Sequence, residues 1–170
     1  IDPFTIEAAT NYPYDVPNVR VTYNRHEIGI NVGYWRSVSH ALNCFVAESF
    51  MDELAVAAGQ DPLAYRSALL AKQPRFAAVL KRAADEAGYA SPAAGHSFGV
   101  ALMEGYGTYM AMVADVSVEG GLVKVHALHC ALDCGQVVNP DTVVAQVQSS
   151  IIFGLSAALW GQIDIANGQV

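Results

Sequence analysis

The sequence predicts an α+β domain, and three observations carry that prediction. Cap and turn residues bound three helices in the first half of the chain. The second half holds alternating apolar stretches around Gly120-Gly121, a tight-hairpin signal. Asn139-Pro140-Asp141 then opens a long helix with a cap, a proline and an acid in succession.

Each element follows from local chemistry. Ile1-Asp2-Pro3-Phe4-Thr5 reads as a cloning scar, set apart from residues 6–170. Pro13 and Pro17 punctuate a Tyr-rich approach, and the partial alternation from Val19 to Ile28 predicts a strand. Gly29 and Gly33 mark a loop. Ser37 or Ser39 can cap a helix running to about Ala58, stopped by Gly59. Asp61-Pro62 starts a second helix through Ala71, and Lys72-Gln73-Pro74 breaks it. A third covers Phe76 to Ala87 and ends at Gly88. The small residues of Ala90–Gly95 link a helical half, 6–89, to a strand-rich half, 96–170.

Strands are expected near Phe98–Glu104, Thr108–Val118 and Leu122–Leu132. Parity places Thr108, Met110, Met112, Ala114, Val116 and Val118 on one face. The helix after Asn139 should run to about Leu159 and be buried. Gln162 to Val170 reads as a terminal strand, one hairpin arm with its turn at Asn167-Gly168 and a partner strand to follow.

Composition narrows the function. The chain has 170 residues, 53% of them hydrophobic and only 15% charged, against roughly 25% charged in a typical soluble domain. So little charge predicts that another domain, a partner subunit or a cofactor covers part of the surface. Sixteen acidic against nine basic residues, a net of −7, exclude a nucleic-acid partner and an anionic membrane surface. Thr142–Ile163 is charge-free and long enough to consider as a membrane span. Gln146, Gln148, Ser149, Ser150 and Ser156 interrupt it, so the reading is a buried helix and no transmembrane one.

The reactive side chains are dispersed. Cys44, Cys130 and Cys134 fit neither a redox nor a zinc spacing and read as small buried hydrophobes. His126 and His129, three apart in a strand, point to opposite faces and cannot share a metal without a bulge. Glu48 and Asp52 lie on one helix face, suited to acid/base work or to balance by a nearby Arg or Lys. No phosphate loop or nucleophile elbow occurs in the sequence.

Two segments stand out. Gly33-Tyr34-Trp35-Arg36-Ser37-Val38-Ser39-His40 offers a planar cation and an aromatic wall on a loop feeding a helix. Its plain alternative is an arginine tied to Glu or to carbonyls. Leu132-Asp133-Cys134-Gly135-Gln136-Val137-Val138-Asn139-Pro140 leads to Gln146, whose amide needs partners from backbone or from a polar cofactor.

With Phe45–Ala55 and Ile152–Leu159, these segments resemble the molybdopterin-binding large subunit of the xanthine dehydrogenase/aldehyde oxidase family. The isoquinoline 1-oxidoreductase beta-subunit and membrane-associated aldehyde dehydrogenase type is the nearest in pattern. The resemblance implies a molybdenum hydroxylase that inserts water-derived oxygen into an aldehyde or N-heterocycle. It implies an iron–sulfur small subunit or domain as partner, beside the remaining domains of the same subunit. It places Arg36, with Trp35, on the substrate side and Gln146 on the cofactor, molybdopterin. It leaves no catalytic residue and no metal ligand in this chain, because the family's general-base glutamate lies in a Gly-rich segment absent here. The chain is then an internal piece, expected to be inactive and cofactor-free alone, and its compartment is left open. A non-catalytic ligand-binding or assembly module of the same fold is the alternative. One departure favours it: after the glutamine the family shows Glu-Gly-Gly or similar, where this chain has Gln148-Ser149-Ser150.

Overall fold

The computed structural model describes residues 2–27 and 29–170. Ile1 of the N-terminal segment and Ile28, the end of the expected strand, lie outside the described residues. A 3-10 turn over Pro3–Thr5 is followed by α1 (Ser39–Ala57), α2 (Pro62–Leu69), α3 (Pro74–Ala87), β1 (Ser97–Gly105), β2 (Thr108–Glu119), β3 (Leu122–Asp133) and α4 (Pro140–Trp160). This is the mixed α+β class expected. The chain forms two compact units, one as far as Cys134 and one over Gly135–Val170. Residues 6–89 and the strands therefore pack into the first unit together.

That unit is a three-stranded antiparallel sheet in the order β1-β2-β3. Gly120 and Gly121 both have positive φ, 59° and 82°, as a two-residue primed turn requires. α3 carries Phe76, Val79, Leu80, Ala83 and Ala84 on one stripe, all buried. With Tyr14, Met51 and Leu70 they form one core against Val100, Leu102, Ala111, Val113 and Ala131 of the sheet. α1 buries His40, Glu48, Met51 and Ala55. Its far side leaves Phe45, Val46, Phe50 and Val56 exposed.

Several local expectations change. Residues 19–27 form no strand, and their backbone makes no ladder bond with the rest of the described chain. The reason is pairing: β1, the nearest edge in sequence, bonds only β2. Neither Ser37 nor Ser39 caps α1. Val38 holds the cap position with φ 51° and ψ −128°, and no side chain caps the helix. The chain enters α1 through a left-handed pair, whereas a seryl cap needs extended backbone. Asp61 caps α2 as expected, its Oδ1 accepting from the Ala64 amide at 2.9 Å.

The second unit is almost entirely α4. Asn139 caps it, accepting from the Thr142 amide at 3.2 Å. α4 has 21 residues, about 32 Å at 1.5 Å per residue. By length and composition it could cross a membrane. The expectation that it is buried is corrected: none of its residues is buried, since its unit has no second layer to lie against. The terminal strand is corrected too. Asn167-Gly168 makes the expected turn, but only the Ala166–Gln169 bridge closes it, so no arm forms among the described residues.

Candidate functional site

The site begins with the frame that holds α1. Arg66 of α2 is fully buried and stands between two carboxylates of α1. Its Nε donates to Glu48 Oε2 at 3.0 Å, its Nη1 to Asp52 Oδ1 at 2.6 Å and its Nη2 to the Glu48 carbonyl at 2.8 Å. Glu48 also accepts from the Tyr14 hydroxyl at 3.0 Å and from the Leu102 amide at 3.1 Å. Burial pushes the Glu48 carboxyl up, and Arg66, Tyr14 and the Leu102 amide pull it back in part. The Glu48/Asp52 pair is thus balanced by an arginine, and its lone pairs are spent on joining α1, α2 and β1. Cys44 belongs to the same packing: burial pushes its thiol up to about 12, and Sγ donates to the Leu102 carbonyl at 3.7 Å.

The loop from Gly33 to Val38 leads into the first turn of α1. Trp35 and Arg36 are both exposed there. The Trp35 carbonyl accepts from the Val38 amide at 2.9 Å, closing a tight turn around Arg36. Val32, Tyr34, Trp35, Val38 and Leu42 line a cleft of about 450 Å³. Phe4, in the segment that reads as a cloning scar, also lines it, edge-on to Tyr34 at 6.1 Å between ring centroids. The arrangement can hold a flat apolar ring, and Asp2 sets a carboxylate in its lining. No sequence signal linked Phe4 or Leu42 to this loop.

Gln146 stands on α4 in the second unit. Gln146 and Ser149, three apart, share one side of an exposed helix with no charge after Asp141. Ser150 instead turns its hydroxyl to the Val147 carbonyl at 2.8 Å. The histidines assemble elsewhere. The β2–β3 register shifts between Asp115 and Val116, leaving His126 as the extra residue of a bulge. His126 donates to or accepts from Ser117 Oγ at 2.8 Å and stacks on His96, centroids 4.0 Å apart. Among the described residues no three His, Cys, Asp or Glu side chains are placed to hold a metal.

Residues 43–170 match the family described as the molybdopterin cofactor-binding domain, and the chain belongs to that family. The match takes in Gln146 and stops short of the Trp35–Arg36 loop. The beta chain of the isoquinoline 1-oxidoreductase of Brevundimonas diminuta is 34% identical over 161 residues, 91% of this chain and 21% of that protein. A nicotinate dehydrogenase component of Pseudomonas putida is 32% identical over 178 residues, 93% of this chain and 15% of that protein. A membrane-bound aldehyde dehydrogenase of Gluconacetobacter polyoxogenes, named for pyrroloquinoline-quinone, is 28% identical over 193 residues, 99% of this chain and 25% of that protein. The chain therefore spans about a quarter or less of each relative's length.

The residues fit the cofactor in kind. A primary amide both donates and accepts, as the amide-like edge of a pterin does, and α4 brings no carboxylate beyond its first turn to repel a phosphate. Gln146 is the side chain that would hold it.

Proposed function

We propose that this chain is the part of a molybdenum hydroxylase large subunit that carries one wall of the cofactor site and one wall of the substrate pocket. The substrate is an aldehyde or an N-heterocycle. The observation that carries the reading is the cleft lined by Tyr34, Trp35 and Leu42, on the loop that also bears the exposed Arg36, in a chain that belongs to the molybdopterin family. When bound, molybdopterin supplies the two-electron oxidation with oxygen drawn from water. Arg36 orients the substrate and offsets negative charge developing on it, and its planar fork suits a carbonyl oxygen or a ring nitrogen's partner. Trp35 covers one ring face and excludes water. Gln146 satisfies the cofactor's polar edge. The remaining domains of the subunit cover α4, and an iron–sulfur subunit or domain takes the electrons. The five polar side chains from Gln146 to Ser156 of α4, Gln146 above all, suit protein rather than lipid against the helix.

The test uses the full-length subunit. Gln146→Leu strands a polar group on the cofactor, a loss of roughly 1–3 kcal/mol, and should lower molybdenum content with the fold intact. Arg36→Ala should keep molybdenum and lower turnover, with Arg36→Lys rescuing only in part. Full molybdenum and full activity in Gln146→Leu would refute the cofactor role. A second reading, an assembly module without catalysis, draws on Ser149-Ser150 standing where glycines would allow closer approach. Molybdenum-free full-length protein that still binds its iron–sulfur partner would favour it.

A further inference from the structure

We propose that His40 is the positioning residue of the Arg36 loop, through a latch with Glu7 and the tip of the β1–β2 hairpin. The proposal rests on the reading of Arg36 as the substrate-side cation. The need for a latch comes from the backbone. Ser37 has φ 70° and Val38 has φ 51° with ψ −128°. A β-branched residue at positive φ is a true outlier, and it persists only where its surroundings over-determine it. This strained pair lies directly between Arg36 and the first turn of α1.

The fixed end is His40, 4% exposed. Its ring lies over Gly105 so closely that a Cβ there would stand 3.2 Å from both Cδ2 and Nε2. The Tyr106 ring is 5.1 Å away, centroid to centroid. Nδ1 is 3.2 Å from Glu7 Oε2, off the line of a hydrogen bond, and has no other partner among the described residues. Glu7 also accepts from the Tyr106 hydroxyl at 3.3 Å, while its carbonyl accepts from Asn43 Nδ2 at 2.7 Å. Glu104 steadies the hairpin tip, accepting from the Gly107 amide at 2.7 Å and from Asn11 Nδ2 at 3.0 Å. The N-terminal segment, α1 and the hairpin thus grip one flat ring. The His40 amide passes that hold to the loop through the Ser37 carbonyl at 3.1 Å. Released, Ser37 and Val38 would relax toward ordinary φ and carry Arg36 with them.

Hydrogen–deuterium exchange over residues 33–38, molybdenum content and steady-state kinetics of the full-length, cofactor-loaded subunit test this together. His40→Leu should raise exchange of the loop and keep molybdenum. It should lower kcat about ten- to a hundredfold, as a misplacement of ~1 Å does, with KM less affected. His40→Gln should recover part of the loss. Val38→Gly in the His40→Leu background should recover most of it, because glycine needs no latch at that φ; a merely structural histidine would not be rescued this way. Wild-type exchange in His40→Leu overturns the proposal. Should that variant fail to load or fold, Gly105→Ala displaces the same ring, and unchanged loop exchange there overturns it equally. Arg36→Ala is run alongside: if it leaves turnover unchanged, the substrate-side reading falls, whereas lowered turnover with normal exchange in His40→Leu refutes the latch alone.

Discussion

Helices α3 and α4 start alike and live in different surroundings. Each has proline at its first position. α3 gathers its apolar side chains on one stripe and sets the Lys81–Asp85 and Arg82–Glu86 pairs outside it. α4 spreads its apolar side chains around most of the helix, carries no charge after Asp141 and buries none of its residues. The stripe of α3 says which face meets the sheet. The wide spread of apolar residues on α4 says only that it needs neighbours on several sides. What separates the two helices is therefore the distribution of apolar residues rather than their amount. A one-sided pattern is satisfied by one sheet, and a widely spread pattern requires more layers than a helix and a turn provide.

The contrast can be broken most forcefully at the first unit. Arg66→Ala leaves the buried Glu48 carboxylate uncompensated, and urea unfolding of the chain should show a loss of about 3–5 kcal/mol. A loss near that of a surface change would mean that α1 and α2 are not held as the geometry indicates. Leu80→Ala, in the α3 stripe, should cost about 2–5 kcal/mol by the same measurement.

Caps sharpen the comparison at lower cost. Asp61→Ala and Asn139→Ala each remove a side-chain acceptor from a helix start, worth about 1 kcal/mol. Only Asp61→Ala should move the cooperative unfolding midpoint, because α2 belongs to the packed unit and α4 does not. Equal shifts would show α4 folding with the sheet after all. The smallest effect on stability is expected from Ile152→Ser on exposed α4, within about ±0.5 kcal/mol. The same variant should reduce self-association in sedimentation velocity, since it breaks a bare apolar surface. Unchanged association would place the sticky surface on the exposed side of α1 instead.

Most secondary structure was legible because its signals are local. Asp61-Pro62, Gly88, Gly120-Gly121 and Asn139-Pro140 each act within a turn of the chain, and each behaves as its chemistry dictates. The misreadings share a cause. Residues 19–27 alternate like a strand, yet a strand is defined by a neighbour, and none pairs with them among the described residues. Ser37 and Ser39 are good capping residues, but the left-handed turn at Val38 decides how the chain enters α1. The candidate site divides the same way. Trp35, Arg36 and Gln146 stood out by type and setting, whereas Phe4, Glu7 and the contacts of His40 entered only through segments far along the chain.

Residue order determined the helices, the hairpin, the amphipathic stripe of α3, the low charge and the molybdopterin-family pattern. All of these follow from chemistry within a few residues or from overall composition. Only the tertiary structure decided that Arg66 answers Glu48 and Asp52, that a bulge takes His126 out of the ladder, and that His40 wedges over Gly105 beside Glu7. Those are unions of distant segments, and they depend on how a sheet and three helices close on one core, which no local periodicity records.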